Sequence, residues 1–235
     1  MNPCSGPDAV PPYHEVRREV YAGKIPPSTS TLLKRFARAG QTQEVQMIAV
    51  APGAGLTAEH ATHKSHYHIH HASGYSPALA AGDYRFVPGQ TAESRSAEVH
   101  GVDPEARLPP GLWKGTPIKV ETEFIITRKM MPSLEAAGAS LDTVVKAQVY
   151  LRDPNDVPAF NEVWLKHFKS PPATTIIAVN TPGFIQPEER IEINTISLAT
   201  DGATKRSVVK APVAPLYHGH PNAVRAGDLL FLSGL

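Results

Sequence analysis

Two separate stretches of this sequence recur further along the chain, and both recur at the same distance. Ala81-Gly82-Asp83-Tyr84-Arg85-Phe86-Val87-Pro88-Gly89 returns as Ala226-Gly227-Asp228-Leu229-Leu230-Phe231-Leu232-Ser233-Gly234, and Ile25-Pro26-Pro27-Ser28-Thr29 returns as Ser170-Pro171-Pro172-Ala173-Thr174. Each match is offset by 145 residues (227 − 82 and 174 − 29), which two unrelated coincidences would not produce. A third match, Gln43-Glu44-Val45-Gln46-Met47-Ile48 against Ile191-Glu192-Ile193-Asn194-Thr195-Ile196, runs at 148 (192 − 44), as a slightly longer loop in the later copy predicts. A period near 145 in a chain of 235 residues leaves room for one whole unit between incomplete ones. The expected organisation is the back half of one unit over 1–52, a linker at 53–65, a complete domain at 66–200, a second linker at 201–211 and the front strands of a further unit at 212–235. A few strands alone cannot bury their apolar face. The last segment therefore needs a partner: the two partial units complete each other, within the chain or between chains, or the chain is part of a longer protein.

Inside the complete unit, Tyr84 to Val87 follows the Ala-Gly-Asp turn as a short strand. A long loop comes next, broken at Asp103-Pro104 and Pro109-Pro110. From Lys119, positions Val120, Phe124, Thr127, Met131 and Leu134 recur at helical spacing. Gly138 suits the left-handed cap beyond the helix end, and Pro132 predicts a kink. Val145, Ala147, Val149 and Leu151 alternate with polar neighbours as in a half-buried strand. Asp156 is expected to cap a helix running through Phe160, Trp164 and Phe168, and β-rich runs at 174–179 and 190–198 close the unit. This order describes an α/β sandwich with helices on one face of a sheet.

Charge is balanced, with 23 basic and 22 acidic residues, so no concentrated basic face points to a nucleic-acid partner. Cys4 is the only cysteine, which excludes an internal disulfide and fits a reducing compartment. No apolar run approaches the ~20 residues of a membrane span, and the first residues lack the basic and apolar regions of a signal peptide. A cytoplasmic protein without membrane contact is the expectation.

Ser133-Leu134-Glu135-Ala136-Ala137-Gly138-Ala139-Ser140-Leu141-Asp142-Thr143-Val144-Val145-Lys146, then Phe160-Asn161-Glu162-Val163-Trp164, then Pro171-Pro172-Ala173, then Ile191-Glu192-Ile193 stand in an order and at gaps that resemble the reactive intermediate deaminase (RidA, YjgF-like) family. The resemblance covers nearly all of residues 74–200 and, more weakly, both flanks. It implies a chorismate-mutase-like α/β sandwich, a mixed β-sheet with helices on one face, here repeated in tandem. It also implies a homo-oligomer, a trimer or pseudo-trimer, with ligand clefts between subunits. The activity it implies is hydrolysis of an enamine or imine to a carbonyl compound and ammonia, with no cofactor.

The residues that the family uses are mostly replaced. Its arginine after Pro-Ala, whose fork can hold a carboxylate, is Thr174 in the complete unit and Thr29 in the earlier one. Its acidic residue at the end of the Ile-Glu-Ile-Glu run is Asn194, with Gln46 in the earlier copy; an amide can hold a water but cannot take its proton. Glu192 is read as facing away from that position and unable to substitute. The serine before Gly-Gln is Pro88, whereas Tyr75 is retained; the last copy inverts this, with Ser233 present and His220 in the tyrosine's place. The candidate ligand-binding residues are accordingly Tyr75, Thr174 and Asn194, with no catalytic residue assigned. The expected function is binding or conversion of a small imine, enamine or carbonyl metabolite at an inter-subunit cleft. A non-catalytic ligand-binding or partner-stabilising module is the alternative, as is an aminomuconate-type deaminase, suggested by Ala223-Val224-Arg225-Ala226-Gly227-Asp228-Leu229.

His60, His63, His66, His68, His70 and His71 crowd into twelve residues. On an extended strand His66, His68 and His70 would share a face and could meet a transition metal. No carboxylate or cysteine pattern accompanies them, so a solvated edge strand without metal is the expectation. His218 and His220 could join such a site only if the ends of the chain meet.

Overall fold

The computed structural model describes residues 10–234 apart from 23, 34–37, 39, 42, 52, 54, 62–73, 95–100, 112–114, 180–182, 185, 187 and 216. Along the chain come helix α1 (Val10–Val20), strands β1 (Ala58–His60), β2 (Leu79–Ala81) and β3 (Tyr84–Thr91), helices α2 (Pro117–Phe124) and α3 (Met131–Ala136), and strand β4 (Val144–Leu151). Helix α4 (Val157–His167) follows, then strands β5 (Ala173–Ala178), β6 (Ile191–Leu198), β7 (Arg206–Val209), β8 (Ala223–Ala226) and β9 (Leu229–Leu232).

Both Ala-Gly-Asp sequences form hairpin turns of the same kind. Gly82 and Gly227 have φ of 57° and 56°, a left-handed conformation that glycine adopts without steric cost. Ala81 pairs with Tyr84 across the first turn and Ala226 with Leu229 across the second. Each hairpin carries one further antiparallel strand on its outer side, β1 beside β2 and β7 beside β8.

The first hairpin belongs to a six-stranded sheet ordered β1-β2-β3-β6-β4-β5. Only β4 and β5 are parallel, and α4 makes the crossover between them. The main core lies between this sheet and the helices. Phe160 and Trp164 of α4 and Phe168 just past its end follow each other, with ring centroids 5.3 and 4.2 Å apart, all buried. Val144, Ala147, Val149 and Leu151 of β4 face them. Val145 does not: a slip in the β4–β6 register between Val144 and Lys146 turns it to the opposite face, against Ala173 and Leu198. The irregularity predicted at Pro132 takes the form of a wide turn. Ile125–Met130 is π-helical, and the Met131 N–H reaches back five residues to the Ile126 carbonyl just before the proline removes a donor. Gly138, at φ 68°, ends the helix as expected, with Ala139 N–H on Leu134 O and Gly138 N–H on Glu135 O. Asp156 stands at the N-cap position of α4 as expected, but its carboxylate meets Arg190 rather than the helix N–H groups, while Asp153 caps the short 3₁₀ turn Pro154–Asp156 by accepting from Asn155 N–H.

The sheet face away from the helices is shared by the two flanking segments. Val224 and Ala226 of the β7–β8–β9 sheet pack on Val145, Ala173 and Leu198, and Tyr84 donates to Ala226 O at 2.8 Å. Residues 25–32 reach the other end of the same face. None of the described helices is long and apolar enough to cross a membrane.

Candidate functional site

Pro88 sits in the middle of β3 without an N–H to donate, and the β3–β6 ladder slips between Val87 and Gln90. The slip frees Gly89 N–H from the ladder, and it donates to Thr29 Oγ1 at 3.0 Å. Thr29 Oγ1 also accepts from Asn194 Nδ2 at 2.9 Å, and the Tyr150 hydroxyl, its ionisation made harder first by burial, is bonded to the Asn194 side chain too. Ser76 N–H on Ile25 O and the Leu32–Gly183 bridge complete this first joint, made by residues 25–32.

Beside the joint lies a cavity of about 50 Å³, whose lining includes His14, Arg17, Tyr75, Glu93, Glu189 and Glu192. Glu192 reaches it because Gly89 has no side chain: a Cβ built there would collide with the Glu192 carboxylate. Glu192 as a whole is 6% exposed. Arg17, 5% exposed, comes from α1 and lies over the rings of Tyr13 and Tyr75, 5.1 and 5.5 Å from their centroids. Next to Glu189, the Arg190 N–H donates to Glu121 of α2. Burial, with the Glu189 charge adding to it, pushes the Glu121 carboxyl up to about 8. The cavity thus holds a carboxylate able to take a proton from water, a phenol, and a guanidinium fixed by aromatic rings.

The three residues expected to form one site are divided. Tyr75 lines the cavity, and Asn194 lies beside it with its amide directed to Thr29. Thr174 is elsewhere, fully buried in β5, donating its N–H to Ser233 Oγ (3.1 Å) and accepting from Gly234 N–H (2.9 Å). The reason is topological: Thr29 docks beside Gly89 of β3, and Thr174 docks beside Gly234, just after β9. At this second joint His220 Nε2 meets Asn161 Oδ1 at 2.6 Å, and burial pulls the His220 imidazole down to about 4. Asn161 Nδ2 donates to His218 O, and a Cβ on Gly219 would come within 2.8 Å of Leu165.

Glu192 corrects the sequence reading. Residues two apart on a strand share a face, so Glu192 and Asn194 lie on the same side of β6, as the period of two requires. Arg17 and His14 were also missed. Their signal is a fourth match, Val10-Pro11-Pro12-Tyr13-His14-Glu15-Val16 against Val157-Pro158-Ala159-Phe160-Asn161-Glu162-Val163, at an offset of 147 (157 − 10). It sets His14 opposite Asn161 and Arg17 opposite Trp164.

Of the clustered histidines, His60 bonds Ser76 Oγ through Nδ1, while His63, His66, His68, His70 and His71 lie outside the described residues, as does Cys4. Among the described residues no three side chains are grouped to hold a metal.

The family model described as Endoribonuclease L-PSP matches residues 121–200. A RutC family protein of Pyrococcus abyssi is 38% identical over 107 residues, which is 45% of this chain and 73% of the relative. A protein of Dermatophagoides farinae named 2-iminobutanoate/2-iminopropanoate deaminase is 36% identical over 81 residues, 34% of this chain and 60% of that one. The crystal structure of yeast Mmf1 superposes with a TM-score of 0.47 at 23% identity, covering 61% of this chain and 99% of that one.

Proposed function

The chain belongs to the RidA/YjgF family, which includes the RutC proteins, and on that premise we propose that it binds a small imine or enamine at the first joint and hydrolyses it to a carbonyl compound and ammonia. The observation that carries this reading is the Glu192 carboxylate, lining a cavity beside the retained Tyr75. A carboxylate there can take the proton of a water attacking the C=N carbon, a role the amide of Asn194 cannot fill. The relative named as an imine deaminase lends support at the level of reaction class.

The same reading takes residues 1–52 and 212–235 as partial units flanking a complete one at 66–200. Its support is that Thr29 meets Gly89 and Thr174 meets Gly234 across equal separations of 60 residues (89 − 29 and 234 − 174). A homo-oligomer, trimer or pseudo-trimer, goes with it, and the sedimentation mass of the purified chain tests that part. The chemistry is tested by ammonia release from imines generated in situ. Wild type should exceed the uncatalysed rate, and Glu192→Gln should lower the catalysed rate about 100-fold or more, the usual contribution of general base catalysis. Release at the uncatalysed rate by wild-type protein would leave a ligand-binding module without turnover.

A further inference from the structure

Residues 1–52 and 212–235, read above as partial units, each leave an apolar stretch open, and this step rests on that reading. β9 is the outer strand of the three-stranded sheet and, among the described residues, pairs on one side only, with β8. Leu229, Leu230 and Leu232 are exposed, and Leu229-Leu230-Phe231-Leu232 has no charge or proline to blunt its open edge. Residues 43–50 form no strand with any described residue, and Met47 and Ile48 are 75% and 74% exposed.

Both stretches have counterparts in the sequence, and the counterparts are paired. β9 matches β3 at an offset of 145 (229 − 84), and residues 43–50 match β6 at 148 (198 − 50). β3 and β6 are antiparallel neighbours, with Tyr84 opposite Leu198, Arg85 opposite Ser197, Phe86 opposite Ile196 and Val87 opposite Thr195. The β8–β9 hairpin repeats the turn and pairing of β2–β3, so its open edge is the one that β3 gives to β6. The same register sets Leu229 opposite Val50, Leu230 opposite Ala49, Phe231 opposite Ile48 and Leu232 opposite Met47. All eight residues are apolar, whereas the β3–β6 pairs include Arg85, Ser197 and Thr195. That bias suits a contact between molecules that holds by burial. Lys146 Nζ donates to the Leu232 carbonyl at 2.6 Å, which leaves that oxygen a second lone pair for a strand N–H. Both stretches are described in this one chain, and among the described residues no hydrogen bond or bridge joins them.

We propose that residues 43–50 of one copy of this chain add as an antiparallel strand to the open edge of β9 in a second copy. Main-chain hydrogen bonds then supply affinity and the facing apolar side chains supply register. Each copy gives one segment and receives one, so the contact closes by exchange between two copies or as a ring.

The test uses the full chain carrying Cys4→Ser, so that disulfides report introduced thiols alone. Two such proteins, one with Ala49→Cys and one with Leu230→Cys, are mixed and oxidised. Opposed positions of paired strands lie within disulfide reach. The mixed dimer should therefore form in excess over either protein joined to itself. It should also exceed the dimer of Ala49→Cys with Val208→Cys, which lies on the far strand of the same sheet. Random or absent cross-linking overturns the proposal. So does a disulfide closed within one chain when Ala49→Cys and Leu230→Cys are combined, because the chain's own segment would then cover β9. Sedimentation of the wild type should give a whole multiple of the single-chain mass. Ile48→Lys, a charge set opposite Phe231, should weaken that association about tenfold or more. Association that survives Ile48→Lys overturns this pairing while the homo-oligomer proposed above stands. A single-chain mass at every concentration overturns both. Ammonia release from imines is read separately, and it decides the proposed hydrolysis whichever way the pairing falls.

Discussion

The two joints of this molecule are built on the same positions and have opposite characters. At the second, Thr174 is closed in by backbone and hydroxyl: Ser233 Oγ on its N–H, Gly234 N–H on its carbonyl, and Asn161 against His220 nearby. At the first, Pro88 replaces the serine, Tyr75 the histidine, His14 the asparagine and Arg17 the tryptophan, and a charged cavity lies beside the contact. The lesson is that a repeated contact can be kept as a fastener in one place and opened into a cleft in another, by changing what surrounds one shared threonine.

The sharpest way to break the comparison is to exchange its most different pair. Trp164→Ala removes a fully buried indole from the main core and should cost about 3–5 kcal/mol. Arg17→Ala, at the matching place in α1, should cost about 1–2 kcal/mol, mostly lost ring contact. Urea denaturation measures both, and equal losses would mean that α1 is as much a core element as α4.

A second test uses pH, because the joints titrate in opposite directions. His220 has its folded pKa lowered to about 4 from 6.5. Its contribution is whole above 6.5 and is lost as pH falls toward 4, since the unfolded chain binds the proton that the folded chain refuses, an effect on the order of 2–3 kcal/mol. Glu121, under the Glu189–Arg190 turn of the first joint, has its pKa raised from 4.5 to about 8. Its contribution is whole below 4.5 and is lost as pH rises through 8, on the order of a few kcal/mol. Denaturation midpoints followed from pH 4 to 9 should lose their acid limb in His220→Gln and their alkaline limb in Glu121→Gln.

The smallest contrast is between the residues before the paired glycines. Ser233→Ala leaves the buried Thr174 N–H without its acceptor and should cost about 1–3 kcal/mol. Pro88→Ser should change stability by about 0.5 kcal/mol or less, because the slipped ladder has already re-aimed Gly89. Thermal melts of the two variants side by side check this.

Much of residues 74–200 could be read from residue order alone. The Gly138 cap, the aromatic run of α4 and most of β4 follow from spacing, since each depends on neighbours within one turn or one strand. Val145 was misread because a register slip is set by the partner strand, and Asp156 holds the N-cap position of α4 without a side-chain cap because its carboxylate meets Arg190. The candidate site was less legible. Tyr75 could be singled out, but its neighbours Arg17 and His14 lie some sixty residues away in the sequence. Thr174 and Asn194, on β5 and β6 of one sheet, turn out to serve different joints. Contacts between segments so far apart in the chain are set by tertiary packing, and no local spacing encodes that. Glu192 was legible, by the same period of two that describes every strand.

Thr29 and Gly89 belong to a single polypeptide, and this has a consequence for how the cleft behaves in dilute solution. Where two halves of a pocket are separate molecules, thinning the solution pulls them apart. Here the intervening chain keeps them at an effective concentration of roughly millimolar order, whatever the concentration of the protein itself. The pocket is therefore a property of one molecule and persists at abundances where an assembled one would vanish.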